Sequence, residues 1–552
     1  MVYIAKQKVY GKDYYYLRKS QRVGGKVKSI GMGYLGKTRK EAEKKFKQIL
    51  KKEDADKLDK MEESKLEHRE ISIDEMAVFC KRKGFVYPSG EIYGGLAGFW
   101  DFGHLGSELK KNVKNEWWNF HIQQREDVVG IDGAIITNPK VWEASGHVKS
   151  FVDVAVVCEK CGFKTKIDKH EVGKVKCEKC GHNYINKGEF NPMFTTQVGP
   201  VKSDSIISYL RPETAQLIFA DFKLVSENAR LKLPFGIAQV GKSFRNEISP
   251  REFLFRSREF EQMEIEYFIE PNMKCPYMEE IKGIKILVYD EKMQKEKQEQ
   301  KMMEIYSAWK NKIIKTDWHA YWIAKEFGWF VDLGANPENF RIRQHGSEEK
   351  SHYAIDTWDI EYKFPMGWRE LQGFANRGDF DLKQHQEFSK EKMEINEEGK
   401  KFIPHVVCEP SLGVERAFLV FMFDSYFFDE KRDNIVLKLH PKLAPVKAAV
   451  FPIVKQEKFE NFARKIFDDL RKEFNVLYDK SGSIGRRYAR NDEIGTPFCI
   501  TIDGDSLKNK DVTIRDRDTT KQVRVKFSEL KEILRKLINK EIRFEKAGKL
   551  VK

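Results

Sequence analysis

Four cysteines, spaced Cys158-x2-Cys161-x15-Cys177-x2-Cys180, constrain the local fold of this chain more tightly than any other feature. Each Cys-x2-Cys pair can place two thiolates on one side of a tight turn. Two such turns facing each other match the tetrahedral cage of a structural zinc ion. Gly162 and Gly181 follow the two pairs and relieve the backbone where the thiolates converge. The alternative is two disulfides, which belong to oxidising compartments. The start, Met-Val-Tyr-Ile-Ala-Lys-Gln-Lys, shows no apolar h-region, so a cytoplasmic protein is expected. Four thiolates leave no open coordination position, so the predicted metal is structural. Cys80, Cys275, Cys408 and Cys499 are scattered singly and read as small core hydrophobes.

The chain has 552 residues, 41 % apolar and 12 % aromatic. That is enough for sizeable cores, so global disorder is excluded and about three or four domains are expected. The longest apolar runs, such as Ala417 to Phe423, fall well short of the ~18 residues of a membrane span. The net charge is +15, and residues 1–52 alone hold 16 Lys and Arg against Asp13, Glu41 and Glu43. A net of +13 in so short a segment predicts a polyanion-binding, RNA-binding module, against the plainer reading of a solubilising surface.

The pattern divides the chain. Val2 to Tyr10, Asp13 to Val23 and Lys26 to Leu35 read as strands, and Thr38 with Glu41 caps a helix over Ala42 to Leu50. Residues 53–70 read as a charged tether. A larger domain is expected over 71–440, with a cysteine-knuckle insertion at 151–187 and a mostly helical insertion at 271–340. Leu105 to Gln123 carries Leu105, Leu109, Val113, Trp117 and Phe120 at helical spacing. Over 441–552, strand and helix patterns alternate, with strands at Phe498 to Ile502 and Gln522 to Phe527 and helices at Lys458 to Phe474 and Ile484 to Glu493. That predicts an α/β domain with a mixed sheet.

Gly236-Ile-Ala-Gln-Val-Gly241-Lys242-Ser243 satisfies the literal P-loop pattern. Its central residues suit a strand better than an anion cradle, and no helical stripe follows. The same stretch continues as Phe244-Arg245-Asn246-Glu247, a loop, then Phe255-Arg256-Ser257-Arg258-Glu259-Phe260. This resembles motif 2 of the class II aminoacyl-tRNA synthetases. Glu409-Pro410-Ser411-Leu412-Gly413-Val414-Glu415-Arg416 resembles motif 3, and the helix from Gly106 running on to Pro139 resembles motif 1, the dimer element. Tyr209-Leu-Arg211-Pro212-Glu213, Phe260-Glu261-Gln262-Met263-Glu264 and Trp368-Arg-Glu370-Leu371-Gln-Gly373 are similar to the homodimeric glycyl branch of that family. So are Ile92-Tyr-Gly-Gly95, Trp142-x-Ala-Ser-Gly-His147 and Gly334-Ala-Asn-Pro-Glu-Asn.

The resemblance spans about residues 75–545. It implies an α+β catalytic domain, antiparallel sheet with flanking helices, followed by an anticodon-binding domain. The implied reaction joins glycine and ATP into glycyl-adenylate and passes the glycyl group to tRNA-Gly. Arg245 would bridge the attacking carboxylate and the α-phosphate, Glu247 and Phe260 would read and stack adenine, and Arg416 would hold the terminal phosphates. The ATP contacts implied are Arg245 to Glu247, Phe255 to Phe260, Glu370, Leu371 and Gly413 to Arg416. The glycine contacts implied are Glu213, Phe260 to Glu264, Glu409 to Gly413 and Lys166. Glu370 and Glu409 would hold magnesium. Lys166-Ile167-Asp168 stands where many relatives carry Arg-Ala-Asp, and lysine lacks the bidentate fork. Two rivals stand beside this reading. A catalytically dead RNA-binding relative would have lost Arg245, Glu247, Glu370, Glu409 and Arg416, which are all present. A P-loop ATPase needs the cradle that the strand-like residues deny it.

Overall fold

The computed structural model describes residues 71–551 apart from 168–171, 202–204, 347–348 and 350–355. It also describes the backbone of the strands Val2–Val9, Lys12–Val23 and Lys26–Gly36. The chain forms two compact units, Met1–Glu70 and Ile71–Lys552. In the first, the three strands pair antiparallel in sequence order. The expected helix over Ala42 to Leu50 with its Thr38 cap, the tether over 53–70, the turn at Gly24 and Gly25, and Asp168 lie outside the described residues.

The second unit is built on a nine-stranded sheet. Its order is Lys301–Glu304, Lys285–Tyr289, Phe340–Gln344, Asp356–Phe364, Gly367–Asn376, His405–Gly413, Glu259–Ile269, Phe235–Phe244 and Val128–Ile131. The helices Asp317–Asp332 and Val414–Ser425 are apolar on nearly every side because they are buried between the sheet and other elements. Trp318, Trp322 and Trp329 from the first, and Phe418 and Val420 from the second, join Met263 and Leu412 of the sheet in one core. Each such burial contributes about 1.5–3 kcal/mol. On the other face Ala215–Asn228 packs Phe219 and Phe222 against Phe235 and Phe268. With one face sealed by each helix layer, the sheet's strand ends are left to build a site.

The helix expected from Leu105 runs over His104–Trp118 and buries Leu105, Leu109, Val113 and Trp117; Asn119–Gln123 continues it as a wider turn. Gly106 is required there, because a Cβ would sit 1.8 Å from the Phe85 carbonyl oxygen. The segment 271–340, expected as a mostly helical insertion, carries the helices Glu291–Lys295, Ile305–Lys310 and Asp317–Asp332 and also two strands, Lys285–Tyr289 and Lys301–Glu304, which extend the main sheet at one edge. Ile286 and Val288 are buried on one side of the first strand, a period of two that the flanking charges masked.

The last hundred residues fold as a mixed six-stranded sheet, parallel through Val476–Tyr478, Ala448–Pro452 and Phe498–Ile502, then antiparallel through Asp511–Asp516, Gln522–Lys526 and Lys549–Leu550. Glu457–Leu470 and Leu530–Ile538 cover it with Phe459, Ile466, Leu534 and Leu537. Arg515 grips Asp492 with two bonds of 2.8 and 2.9 Å, and Arg432 reaches the same carboxylate at 3.1 Å, which ties this sheet to the preceding hairpin.

Candidate active site

The P-loop-like stretch is a strand. Phe235–Phe244 pairs residue for residue with Glu259–Ile269, from Phe235 opposite Phe268 to Phe244 opposite Glu259. Its second motif glycine has a packing reason. A Cβ on Gly241 would fall 2.0 Å from the Arg211 guanidinium, which is held in the interior by the carbonyls of Lys242 and Gly133. Lys242 pairs with Glu259 across the two strands.

Where these strands end, a cavity of about 560 Å³ opens. Arg245 follows the first strand directly, and its N–H donates to the Arg258 carbonyl at 2.9 Å, closing the hairpin. Its Nε donates to the Pro212 carbonyl at 3.0 Å, and its guanidinium lies 5.5 Å from the Phe260 ring and 5.6 Å from Phe151. Arg416, in the first turn of Val414–Ser425, lies 4.7 Å from the Phe255 ring and donates to Glu370 at 3.0 Å. Two guanidiniums, each pinned beside an aromatic ring, therefore face one cavity. Such fixed cations suit a polyphosphate better than flexible lysines would. Glu247 also lines the cavity; it accepts from Arg256 at 3.1 Å and pairs with Lys166 at 3.5 Å. Lys166 reaches in from the cysteine insertion and bonds Asp153 at 2.6 Å.

Deeper lies a nest of carboxylates. Strand pairing puts Glu264 opposite Ser411 and Gln262 opposite Gly413, and Gln262 donates to the Ser411 hydroxyl at 3.2 Å. Thr214 donates to Glu264. Glu213 stands 3.3 Å from the His147 ring. Burial alone would raise Glu213, but His147, Arg377 and Arg245 together hold its carboxyl well below the usual range. Burial and the Glu213 charge raise Glu264. Burial pushes Glu409 up to about 8 against the pull of Arg377. Glu264 and Glu409 are thus short of positive charge, while Glu213 is not.

The structure places the other expected residues as follows. Met263, Leu412 and Val414 point into the main core and Pro410 is buried beside them, so only their backbone can meet a ligand. Glu259 and Glu261 face a second cavity on the far side of Phe260, where Glu261 pairs with Lys114 at 2.7 Å. Leu371 and Gly413 line the main cavity, and so do Ser257 and Glu415. Asn246 and Arg258 shape the loop, Arg258 by donating to the carbonyls of Glu247 and Ala97 at 2.9 Å each.

One pairing is overturned. Glu370 and Glu409 cannot share a magnesium ion. Glu409 lies opposite Ala375, and Glu370 is five residues further along that strand, so their backbones are roughly 16 Å apart at ~3.3 Å per residue. Each is held by a different arginine. Arg416 holds the exposed Glu370 carboxyl below the usual carboxylate range. Glu409 instead takes two bonds from Arg377, at 3.0 and 3.1 Å, and lies with Glu264 and Glu266 in one buried group. Of the two, only Glu370 lines the main cavity.

Arg377 is the residue that sequence reasoning missed. It is almost fully buried and also bonds Asp381 at 2.7 and 2.8 Å. Its helical spacing to Asp381 was visible, but Glu409 is 32 residues away and no local pattern joins them.

The four cysteines converge, with Cys158 Sγ 3.3 Å from Cys180 Sγ and Cys161 Sγ 3.6 Å from Cys177 Sγ. All four sulfurs lie within 4.8 Å of one another. Tetrahedral zinc with bonds of about 2.3 Å requires sulfur separations of this size. Gly162 and Gly181 take the left-handed conformation, and their N–H groups return to the carbonyls of Cys158 and Cys177.

Residues 202–426 match the family described as tRNA synthetase class II core domain (G, H, P, S and T), and residues 447–537 match the anticodon binding domain family. Glycine–tRNA ligases from Caldanaerobacter subterraneus and Geobacillus thermodenitrificans are each 44 % identical, over 84 % and 85 % of this chain and 98 % of theirs. The Borrelia hermsii glycine–tRNA ligase is 42 % identical over 84 % of this chain and 97 % of its own. Prolyl-tRNA synthetase from Cryptosporidium parvum shares the fold at a TM-score of 0.51 and 15 % identity, over 85 % of this chain and 78 % of that one. By its matched core, its anticodon-binding domain and these near-full-length relatives, the chain belongs to the class II aminoacyl-tRNA synthetases, in their glycine–tRNA ligase branch.

Proposed function

We propose that this chain joins glycine to tRNA-Gly in two steps that share one cavity. The observation that carries the reading is the meeting of two ring-braced arginines, Arg245 and Arg416, with a charge-starved carboxylate nest at one strand edge. A glycine carboxylate oxygen attacks the α-phosphorus of ATP and pyrophosphate leaves. The terminal ribose hydroxyl of the tRNA then attacks the glycyl carbonyl and AMP leaves. Arg245 neutralises the two anions that must approach, and Arg416 holds the departing phosphates. Magnesium bound with ATP would supply further charge neutralisation, and the cavity-lining Glu370 would hold it. Phe260 stacks adenine and Glu247 accepts from its amino group. The glycine ammonium supplies positive charge that Glu264 and Glu409 are short of, beside the ionised Glu213. A nest lined by Gln262 and Ser411 leaves little room for a side chain, so larger amino acids are rejected by overlap.

The finer organisation follows the same reading. Zinc held by Cys158, Cys161, Cys177 and Cys180 stiffens the insertion that delivers Lys166 to the cavity. The C-terminal sheet receives the anticodon. The chain works as a cytoplasmic homodimer, supported by exposed Ile136, Val198, Ile206 and Ile207 on a small sheet next to the site. Among the described residues no helix is long and apolar enough to cross a membrane. Glycine-dependent exchange of labelled pyrophosphate into ATP tests the reaction. Exchange with glycine and not with alanine or serine supports it; exchange that needs no amino acid overturns it.

A further inference from the structure

The curated relatives match only 83–85 % of this chain, and nothing in the reaction uses its first residues. The backbone register there sorts the residues onto two faces. Tyr3 lies opposite Arg18, Ala5 opposite Tyr16 and Gln7 opposite Tyr14. On the other edge of the middle strand Tyr16 lies opposite Tyr34. Neighbours along a strand alternate between faces, so Tyr3, Tyr14, Tyr16, Arg18 and Tyr34 share one face. Val2, Ile4, Leu17 and Val23 fall on the other, with Tyr15, Asp13, Lys6, Lys8 and Lys19. The face that holds these larger aliphatic residues is the one a small sheet gives to a core. Four tyrosine positions and an arginine position on the opposite face are not, because a core has no use for so many hydroxyls. The segment's +13 charge calls for a polyanion, and π faces beside a guanidinium call for flat, unpaired bases.

We propose that the tyrosine face of this N-terminal sheet binds unpaired nucleotides of the tRNA substrate by stacking, with the surrounding cations following the phosphates. This rests on the reading of tRNA as substrate. Transfer RNA offers single-stranded bases in its loops and at its 3′ end, and recognition of RNA by stacking targets such segments. The proposal thus separates two contributions: a salt-sensitive one from charge and a salt-resistant one from the rings.

The test uses the full chain and a labelled 12-nucleotide oligouridine, in low and high salt, beside a 12-base-pair RNA duplex. Combined Tyr14→Ala, Tyr16→Ala and Tyr34→Ala should weaken oligouridine binding at least about tenfold in high salt, since each lost stack is worth a substantial factor. The matching Phe substitutions keep the rings and should stay within about threefold of the unaltered chain. Arg18→Gln, which leaves every ring in place, should weaken binding at least about threefold, and it reads the face even if the alanine variant misfolds. Unchanged affinity in both the alanine and the Arg18 variants overturns the proposal. So does loss in the Phe variant equal to that in the alanine one, or equal binding of the duplex. Glycine-dependent pyrophosphate exchange by the unaltered chain is measured in parallel. Its absence counts against the proposed reaction alone, while the oligouridine result decides the face.

Discussion

Arg245 concentrates the chemistry at the residue scale. Its backbone closes the hairpin and its head group is pinned by Pro212 between two rings, so its charge is in place before the substrates arrive. Arg245→Ala should lower glycine-dependent pyrophosphate exchange by about 10²-fold or more while the thermal transition stays cooperative, because the loss is transition-state stabilisation. A folded variant with near-normal exchange would remove Arg245 from its role. His440 makes a different prediction. Burial first, then Lys540, Lys442 and Lys447, pushes its imidazole down to about 3, and its Nδ1 accepts from the Lys442 N–H at 3.2 Å. Below the ordinary value of 6.5 the unfolded chain takes a proton that the folded chain refuses. The unfolded state then binds more protons, so this contribution is present above pH 6.5 and is lost as pH falls towards 3. The slope reaches ~1.4 kcal/mol per pH unit. His440→Asn keeps an acceptor for Lys442 without the titration. The stability drop between pH 7.5 and pH 5, read from urea midpoints, should shrink by about 1–2 kcal/mol in that variant. An equal drop in both proteins would show that His440 is not the source.

At the scale of elements, the cysteine insertion and the decoy strand give opposite lessons. The cysteine spacing anticipated the convergence of the four sulfurs, because two short turns carry them all. Metal analysis of protein purified without chelator should find about one zinc per chain, and Cys177→Ser should lose it. Because the same insertion carries Lys166 to Glu247, metal loss should also raise the KM for ATP. Zinc-free protein with intact activity would end that reading. The Gly-Lys-Ser sequence named a ligand wrongly. Gly241 exists to admit Arg211, so Gly241→Ala should destabilise the fold by about 1–3 kcal/mol through overpacking. A phosphate cradle would instead lose nucleotide binding at unchanged stability, and the urea midpoint separates the two.

Across the whole molecule, the sheet between the site and the solvent is the open question of assembly. Ile206 and Ile207 are neighbours on opposite faces of one strand, and both are more than half exposed. A strand apolar and open on both sides is unusual for a lone chain. Sedimentation of the 64.8 kDa chain should therefore give about twice that mass. Ile136→Asp with Ile207→Asp should shift it to the monomer and lower aminoacylation. A monomeric unaltered chain would place the contact elsewhere or remove it.

The helix Ile484–Glu493 and the strand Phe498–Ile502 lie where their periodicity set them, and so do the three N-terminal strands to within a residue or two. That the motif arginines would line one cavity and the four cysteines would converge was likewise legible, since short stretches of sequence carry each. These are properties of local sequence: turn chemistry, alternation, and ligands spaced a few residues apart. Sequence did not reveal that Arg377 would sit between Asp381 and Glu409, that Glu370 and Glu409 would lie far apart on adjacent strands, or that Lys285–Tyr289 would join the main sheet. Strand order and the company kept by a buried charge depend on which distant surfaces exclude water together. That choice is made by packing over the whole chain, so only the tertiary structure decided it.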